Sequence, residues 1–306
     1  MSESAVFHAT LPSAVQDALW QVVQQHFAHE ISDFCPLFLN DVHLGYLKPI
    51  WRERIRQTWA GEQKHDERGV HLYAENWLQM GDALQDMCQK WHDVAWFGGW
   101  RNEKFDVCSA GGTPLFALER SAFRPLGLHS QAVHVNGWTQ TAATSAGSGQ
   151  DGIRFWIGKR SPYKAVDPNK LDNLTGGGVA AGEKIDEAMR REAWEEAGVP
   201  SAALHQAVYA GSYLSLRPVS RGLHRETLHI FHIELPSDFV PENQDGEVAE
   251  FVAMSAEELA QEMVAGKMMN DALLATLVLW QDLNLLNAEH SLSQHLRAQM
   301  QPNLAK

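Results

Sequence analysis

Three glutamates within five residues, Glu192, Glu195 and Glu196, have the spacing and chemistry to hold a divalent cation. They end the segment GGGVAAGEKIDEAMRREAWEEAGV, residues 176–199, in which a glycine turn leads into a run of good helix formers. At about 100° per residue, Ile185, Ala188 and Met189 share one helical face. The same face continued towards the C-terminus carries Glu192, Glu195 and Glu196, so their i, i+3, i+4 spacing groups three carboxylates on the extension of an apolar stripe. Two penalties accompany this arrangement. The like charges repel one another, and anions in a last helical turn oppose the dipole by roughly 0.3–1 kcal/mol each. A sequence shaped only for folding would avoid both. A divalent cation reverses the balance, because hard carboxylate oxygens suit magnesium, and magnesium bridges carboxylates to phosphates. On spacing alone, an ordinary solvated acidic face is the competing reading.

Neighbouring residues extend the chemistry. Arg191 lies four residues after Glu187 and four before Glu195, so it can form helical ion pairs or hold a catalytic carboxylate in place. Arg160, Lys164 and Lys170 form a basic cluster before the helix; they suit diphosphate oxygens, or else a solvated loop. Asp172 and Asn173 can brace the glycine turn through side-chain to backbone bonds. Trp138 and Trp156 could stack on a flat ligand but suit a core equally well. His134 and Asn136 read first as satisfied strand residues and second as ligands.

These side chains need a scaffold. Gly198 supplies a left-handed stop to the acidic helix, and Pro200 forbids its continuation. Helices are expected at 183–197, 255–265 and 270–286, with strands at QAVHVNGW, GIRFWIGKR, VYAGSYLSL and TLHIFHIEL. TQTAATSAGSGQDG reads as a flexible hairpin loop between the first two of these strands. Earlier in the chain, residues 12–28 read as a helix, PLFLNDVHLGYL as two strands about an Asn40-Asp41 turn, Trp77 to His92 as a helix, and FDVCS and PLFALE as short strands. A boundary near Pro125-Leu126-Gly127 divides the chain into an α+β accessory domain at 1–126 and a second domain at 127–290. A polar C-terminal tail at 291–306 follows. The overall class is α/β, with helices on both faces of a sheet.

The 306 residues suffice for about two domains with their own cores. A net charge of −13 argues against nucleic-acid binding, since no basic field is available to neutralise phosphates. No apolar run approaches membrane length, and MSESAVFHATLPSAV lacks the features of a secretory signal, so a cytoplasmic location is expected. Cys35, Cys88 and Cys108 are widely spaced and read as reduced thiols.

The acidic segment resembles the Nudix box, G-x5-E-x7-R-E-U-x-E-E-x-G-U, where U is a bulky aliphatic residue or similar. Gly177, Glu183, Arg191, Glu192, Ala193, Glu195, Glu196, Gly198 and Val199 fill it without a gap, with alanine at the first U slot as a mild departure. The resemblance implies an α/β/α sandwich and metal-dependent cleavage of a diphosphate, with Mg2+ as cofactor and Mn2+ as a substitute. It casts Glu192, Glu195 and Glu196 as metal ligands, Glu192 also as a candidate for water activation, and Glu183 and Arg191 as their supports. A carbonyl of Gly176 or Gly177 would complete the site, joined by Glu247 or Glu250 from DGEVAEF. VHVNGW, the 156–183 stretch and GLHRETLHIFHIELPSDFVPENQDGEVAEF are similar to a narrower Nudix subfamily. Its members carry an extra N-terminal domain and resemble the Nudix portion of fungal thiamine-pyrophosphokinase-type proteins. That similarity implies thiamine diphosphate, or oxidised and oxy analogues, cleaved to the monophosphate, with Arg160, Lys164, Lys170, Trp156 and Asn136 as substrate-binding candidates. Two alternatives stand beside it: an ADP-ribose or nucleoside-diphosphate-sugar pyrophosphatase, and a non-catalytic Nudix ligand sensor or interaction module. The partner is a small-molecule diphosphate, with no nucleic acid or membrane; a homodimer is compatible with the sequence.

Overall fold

The computed structural model describes residues 10–27, 30–140, 152–164 and 166–301. Most of the expected hairpin loop, and the final five residues, lie outside them.

The chain opens with α1 (Ser13–Phe27), which buries Leu19 and Val23. Strands β1 (Cys35–Leu39) and β2 (Val42–Leu47) form a hairpin. Asn40 and Asp41 at its tip have φ of 46° and 62°, the left-handed pair a two-residue turn requires. Then come α2 (Pro49–Thr58), β3 (Gln63–His65) and β4 (Val70–Leu72), giving a sheet in the order β2-β1-β4-β3. Helix α3 (Trp77–Asp93) starts where the Asn76 side chain accepts from Gln79 N–H at 3.0 Å. A hairpin of β5 (Lys104–Cys108) and β6 (Pro114–Glu119) follows. Leu37, Leu39, Trp51, Ile55, Leu84 and Trp91 lie in the core of this part. Its three cysteines are free thiols, Cys88 fully buried.

After the short α4 (Phe123–Leu126) and Gly127 the pattern changes. Strands β7 (Ser130–Gln140), β8 (Ile153–Arg160), β9 (Leu171–Asp172) and β10 (Thr175–Gly178) lead into α5 (Ile185–Ala197). Helix α6 (Ser201–Leu204), β11 (Val208–Val219), β12 (Gly222–Glu234) and β13 (Val248–Met254) follow, then α7 (Ala256–Val264), α8 (Asn270–Asp282) and α9 (Ser291–Gln299). The main path of the sheet is β11-β12-β7-β8-β13, with β10 paired to β7 and β9 to β8.

Strand alternation explains the layering. Val133 and Val135 of β7 pack with Ala188, Met189 and Ala193 of α5. Ala132 and Trp138, on the opposite face, share a core with α7, α8 and α9. The expected α/β/α sandwich preceded by an α+β segment is therefore observed. None of the described helices is long and apolar enough to cross a membrane.

Two placements differ from the sequence reading. α1 comes from the first segment, yet Leu19 and Val23 sit in the same core as Trp280 and Leu292. The residues read as a polar tail include α9, whose Leu292 and Leu296 are fully buried. Two leucines at i, i+4 anchor this helix, and the polar residues around them hid that spacing in the composition.

Candidate active site

Helix α5 presents its residues much as the wheel predicts, with one refinement. Ala188, Met189, Ala193 and Ala197 are buried, and Glu192 and Glu196 continue that buried face. Glu195 stands at the rim, its side chain 43% exposed. Gly198 ends the helix at φ 63°.

Burial raises the Glu192 carboxyl above its usual range, against the pull of Arg191, and the Glu195 charge adds to the rise. Glu196 is pushed up to about 8, first by burial and then by the charges of Glu192 and Asp172. Gly176 N–H nevertheless donates to Glu196 Oε2 at 2.9 Å, tying β10 to the helix. Gly177 is glycine for a steric reason: a Cβ there would fall 1.9 Å from Glu192 Oε1.

Arg191 organises the remaining acids. Its Nε and Nη2 donate to the two Glu183 oxygens at 2.8 and 2.9 Å, Nη1 to Glu192 at 2.7 Å and Glu195 at 3.3 Å, and Nη2 also to the Gly178 carbonyl at 3.1 Å. The hydrogen bonds from Arg191 overcome burial and hold the Glu183 carboxyl below its ordinary value.

A cavity of about 190 Å³ opens beside these residues, and Glu192, Gly176, Gly177, Glu247, Lys164 and Arg160 line part of it. Lys164 lies 3.7 Å from Glu196 and in direct contact with Glu247. Arg160 Nη1 donates to Asp172 at 2.7 Å and also holds the Val166 carbonyl. His134 and Asp172 also line the cavity, whereas Lys170, Glu250, Asn136 and Trp156 do not. Lys170 pairs with Asp167 at 3.4 Å, and Glu250 pairs with Lys159 at 2.8 Å on an exposed strand edge. Asn136 is spent on a buried network: it donates to the Ala275 carbonyl at 2.8 Å and accepts from Asn173 at 2.8 Å. Trp156 packs against the core under α5.

The first segment enters the site, which the sequence reading missed. Arg101, Phe105, Arg120, Phe123 and Arg124 line the cavity, and Arg101 lies 3.8 Å from Glu247. Asp106 accepts from Gly182 N–H at 2.8 Å, and a Cβ on Gly178 would strike the Phe105 ring at 2.2 Å. No local signal announced these contacts. The charged and aromatic residues around FDVCS were the available hint.

The donor set fits a divalent metal. It is built from hard oxygens, and two buried carboxylates with raised proton affinity are what a cation would relieve. Among the described residues, the grouping whose potential ligand atoms lie within 4.8 Å of one another is a different one, His224, Glu226 and Asp271. There Arg217 already engages both Asp271 oxygens at 2.6 and 2.8 Å. That cluster is an ion-pair network neutralised from within.

The family model described as NUDIX domain matches residues 136–272. These residues form a NUDIX domain. The chain is 34% identical to Nudix hydrolase 24, chloroplastic, of Arabidopsis thaliana, over 72% of this chain and 60% of that protein. It is 29% identical to Nudix hydrolase 20, chloroplastic, of the same plant, over 76% of this chain and 63% of that one. A Deinococcus radiodurans protein named Nudix hydrolase is 51% identical across 51 residues, 17% of this chain and 30% of its own length. The chain thus spans less than two thirds of the length of the plant relatives. A solved structure, that of DR0079 from Deinococcus radiodurans, is 26% identical and covers 57% of this chain and 97% of that one, with a TM-score of 0.43. The NUDIX domain includes all of α5 and of the glycine strand β10 before it.

Proposed function

We propose that the chain is a metal-dependent Nudix hydrolase cleaving a small organic diphosphate, with thiamine diphosphate or its oxidised and oxy analogues as the preferred class. The observation that carries the hydrolase reading is the pair Glu192 and Glu196, buried against β10 with both carboxyls shifted upward. Burying two like-charged acids together costs stability, and a cation-binding role accounts for that cost. The finer substrate assignment is supported by the sequence similarity around β7, β10 and β12 and by the contribution of the first segment to the cavity wall.

Glu192, Glu195 and Glu196 would hold magnesium, or manganese in its place, with a carbonyl of Gly176 or Gly177 and with Glu247 rather than Glu250. When bound, the metal supplies neutralisation of charge on the diphosphate oxygens. Arg160 and Lys164, which line the same cavity, orient the diphosphate. Glu192 takes a proton from the attacking water. The water oxygen bonds to the terminal phosphorus, the bond from phosphorus to the bridging oxygen breaks, and monophosphate and inorganic phosphate leave. Arg191 and Glu183 act through Glu192 and Glu195 by fixing where those side chains point.

A substrate panel with magnesium tests the reading. Release of phosphate from thiamine diphosphate with kcat/KM above that for ADP-ribose is the expected result. Equal or faster turnover of ADP-ribose would replace the substrate assignment with a nucleotide-sugar pyrophosphatase. Binding of diphosphates without turnover of any would leave a ligand sensor.

A further inference from the structure

The buried network that holds Asn136 ends on His134, and two helix carbonyls fix its polarity. Asn136 Nδ2 donates to the Ala275 carbonyl, so its Oδ1 is the atom that accepts from Asn173 Nδ2 at 2.8 Å. Asn173 Nδ2 also donates to the Thr276 hydroxyl at 2.9 Å and to the Ala272 carbonyl at 3.2 Å. Asn173 Oδ1 lies 2.9 Å from His134 Nδ1 and, as a carbonyl oxygen, only accepts. His134 Nδ1 therefore carries a proton, and Nε2 of the neutral ring carries a lone pair.

Nε2 has no hydrogen-bond partner among the described residues, and it is not sealed inside the core. His134 is 5% exposed and lines the cavity, so its remaining opening faces that space. One backbone separates it from the acids. β10 sets Gly176 opposite His134, and Gly176 N–H reaches Glu196 Oε2 at 2.9 Å. A Cβ on Gly176 would fall 3.1 Å from His134 Nδ1, and one on Gly177 would strike Glu192 on the other face. The glycine strand is thus clasped from both sides. β10 pairs with β7 alone, so its outer edge carries no further strand among the described residues. His134, Gly176, Gly177 and Glu192 line one continuous cavity around that edge. A ligand lying across it meets the carboxylates on one face and His134 on the other.

The rest of the wall makes this nitrogen distinctive. Arg160, Lys164 and the arginines of the first segment offer only donors. The acids away from α5 are already engaged: Asp172 by Arg160, Asp271 by Arg217, Glu226 by Ser130 and Glu247 by Lys164. His134 Nε2 is an uncharged acceptor with no such claim on it.

We propose that His134 is a specificity-determining residue: its Nε2 accepts a hydrogen bond from an N–H or O–H group on the organic part of the substrate, close to the diphosphate. The proposal deepens the hydrolase reading and rests on it for what fills the cavity. An apolar group at this point would strip water from the acceptor and give nothing back, a cost that a purely apolar pocket does not impose.

H134N is the discriminating variant. Its shorter amide can still donate to Asn173 from the Nδ1 position but has no atom at the Nε2 position, so the network survives while the cavity loses its acceptor. KM for thiamine diphosphate, which bears an amino group, is measured with magnesium. Beside it stands the inhibition constant of isopentenyl diphosphate, whose organic part has no donor. The expected result is a rise of about tenfold or more in KM, the worth of one hydrogen bond left unmade, with the inhibition constant and the melting midpoint little changed. Equal changes in both constants, or none in either, overturn the proposal. A second arm needs no turnover. Two-bond proton–nitrogen correlation spectra of protein with nitrogen-labelled histidine, the His134 signals assigned by their loss in H134N, read both ring nitrogens. Nδ1 should be the protonated one in the free protein. The Nε2 signal should move with saturating thiamine diphosphate in chelator and stay in place with isopentenyl diphosphate. A proton on Nε2 of the neutral ring, or an Nε2 signal that thiamine diphosphate leaves in place, overturns the proposal. If wild type turns over no diphosphate, the hydrolase reading falls, and the spectra still decide the role of His134.

Discussion

Glu192 Oε1 lies 1.9 Å from the point where a Cβ on Gly177 would stand, so the strand before the helix is glycine because a carboxylate fills the space. The contact joins two parts of the site that are fifteen residues apart in sequence.

The G177A variant should therefore lose activity before it loses its fold. The clashing atom is the end of a flexible side chain, which can swing away at modest cost and take a metal ligand with it. A fall of about 100-fold or more in kcat/KM is expected, by analogy with misplacement costs at preorganised sites. The thermal midpoint should move by only a few degrees. Phosphate release and calorimetric melting check the two halves, and near-wild-type turnover would remove Glu192 from the reacting centre.

Replacing Glu195 by glutamine should abolish most metal-dependent activity and leave the fold intact. Glu195 is a half-exposed rim residue whose ion pair to Arg191 spans 3.3 Å, so little packing depends on its charge. Wild-type rates in E195Q would take it out of the metal site.

Stability against pH offers a test through Glu196. Burial, and then the charges of Glu192 and Asp172, push its folded carboxyl up to about 8 from an ordinary value of 4.5, so the folded state holds a proton that the unfolded chain has lost between those values. The group's contribution is thus most favourable below pH 4.5 and declines as pH rises through about 8. In chelator, E196Q should melt a few degrees above wild type at pH 8, with the gap closing towards pH 5. Magnesium should stabilise wild type and narrow the gap from the other side. A gap independent of pH would refute the assignment.

Arg191 should resist conservative replacement. Its guanidinium spans Glu183, Glu192, Glu195 and a backbone carbonyl at once, a fork that the single ammonium of lysine cannot reproduce. R191K should cost about 1–3 kcal/mol in denaturant unfolding, since several acceptors lose a charged partner in a partly exposed setting. It should also lower kcat more than it raises KM, because Arg191 positions Glu192 without touching substrate.

Away from the reacting centre, R217A should destabilise by about 3–5 kcal/mol, leaving Asp271 buried without its guanidinium partner. Replacing both residues with apolar ones of similar size should recover much of the loss. Urea unfolding of the single and double variants measures both.

The chemistry-bearing helix was legible in the sequence because helical periodicity is local. Ile185 to Glu196 report their own face through spacing, Gly198 and Pro200 report the stop, and the Asn40-Asp41 turn reports its hairpin. Strand order, the partner of each charge and the reach of the first segment were not legible, since they depend on residues far apart in the chain. Glu250 and Glu247 are three positions apart, yet one faces Lys159 on an outer edge and the other the cavity, a choice made by the pairing of β13 with β8 and its bulge. Asn136 looked available for ligand until the fold brought Asn173 and Ala275 against it. The amino-acid order alone determined that three acids share a helical end. Tertiary packing decided which are buried, what holds them and what else can reach the cavity, because burial and charge pairing arise only when distant strands and helices close around the same space.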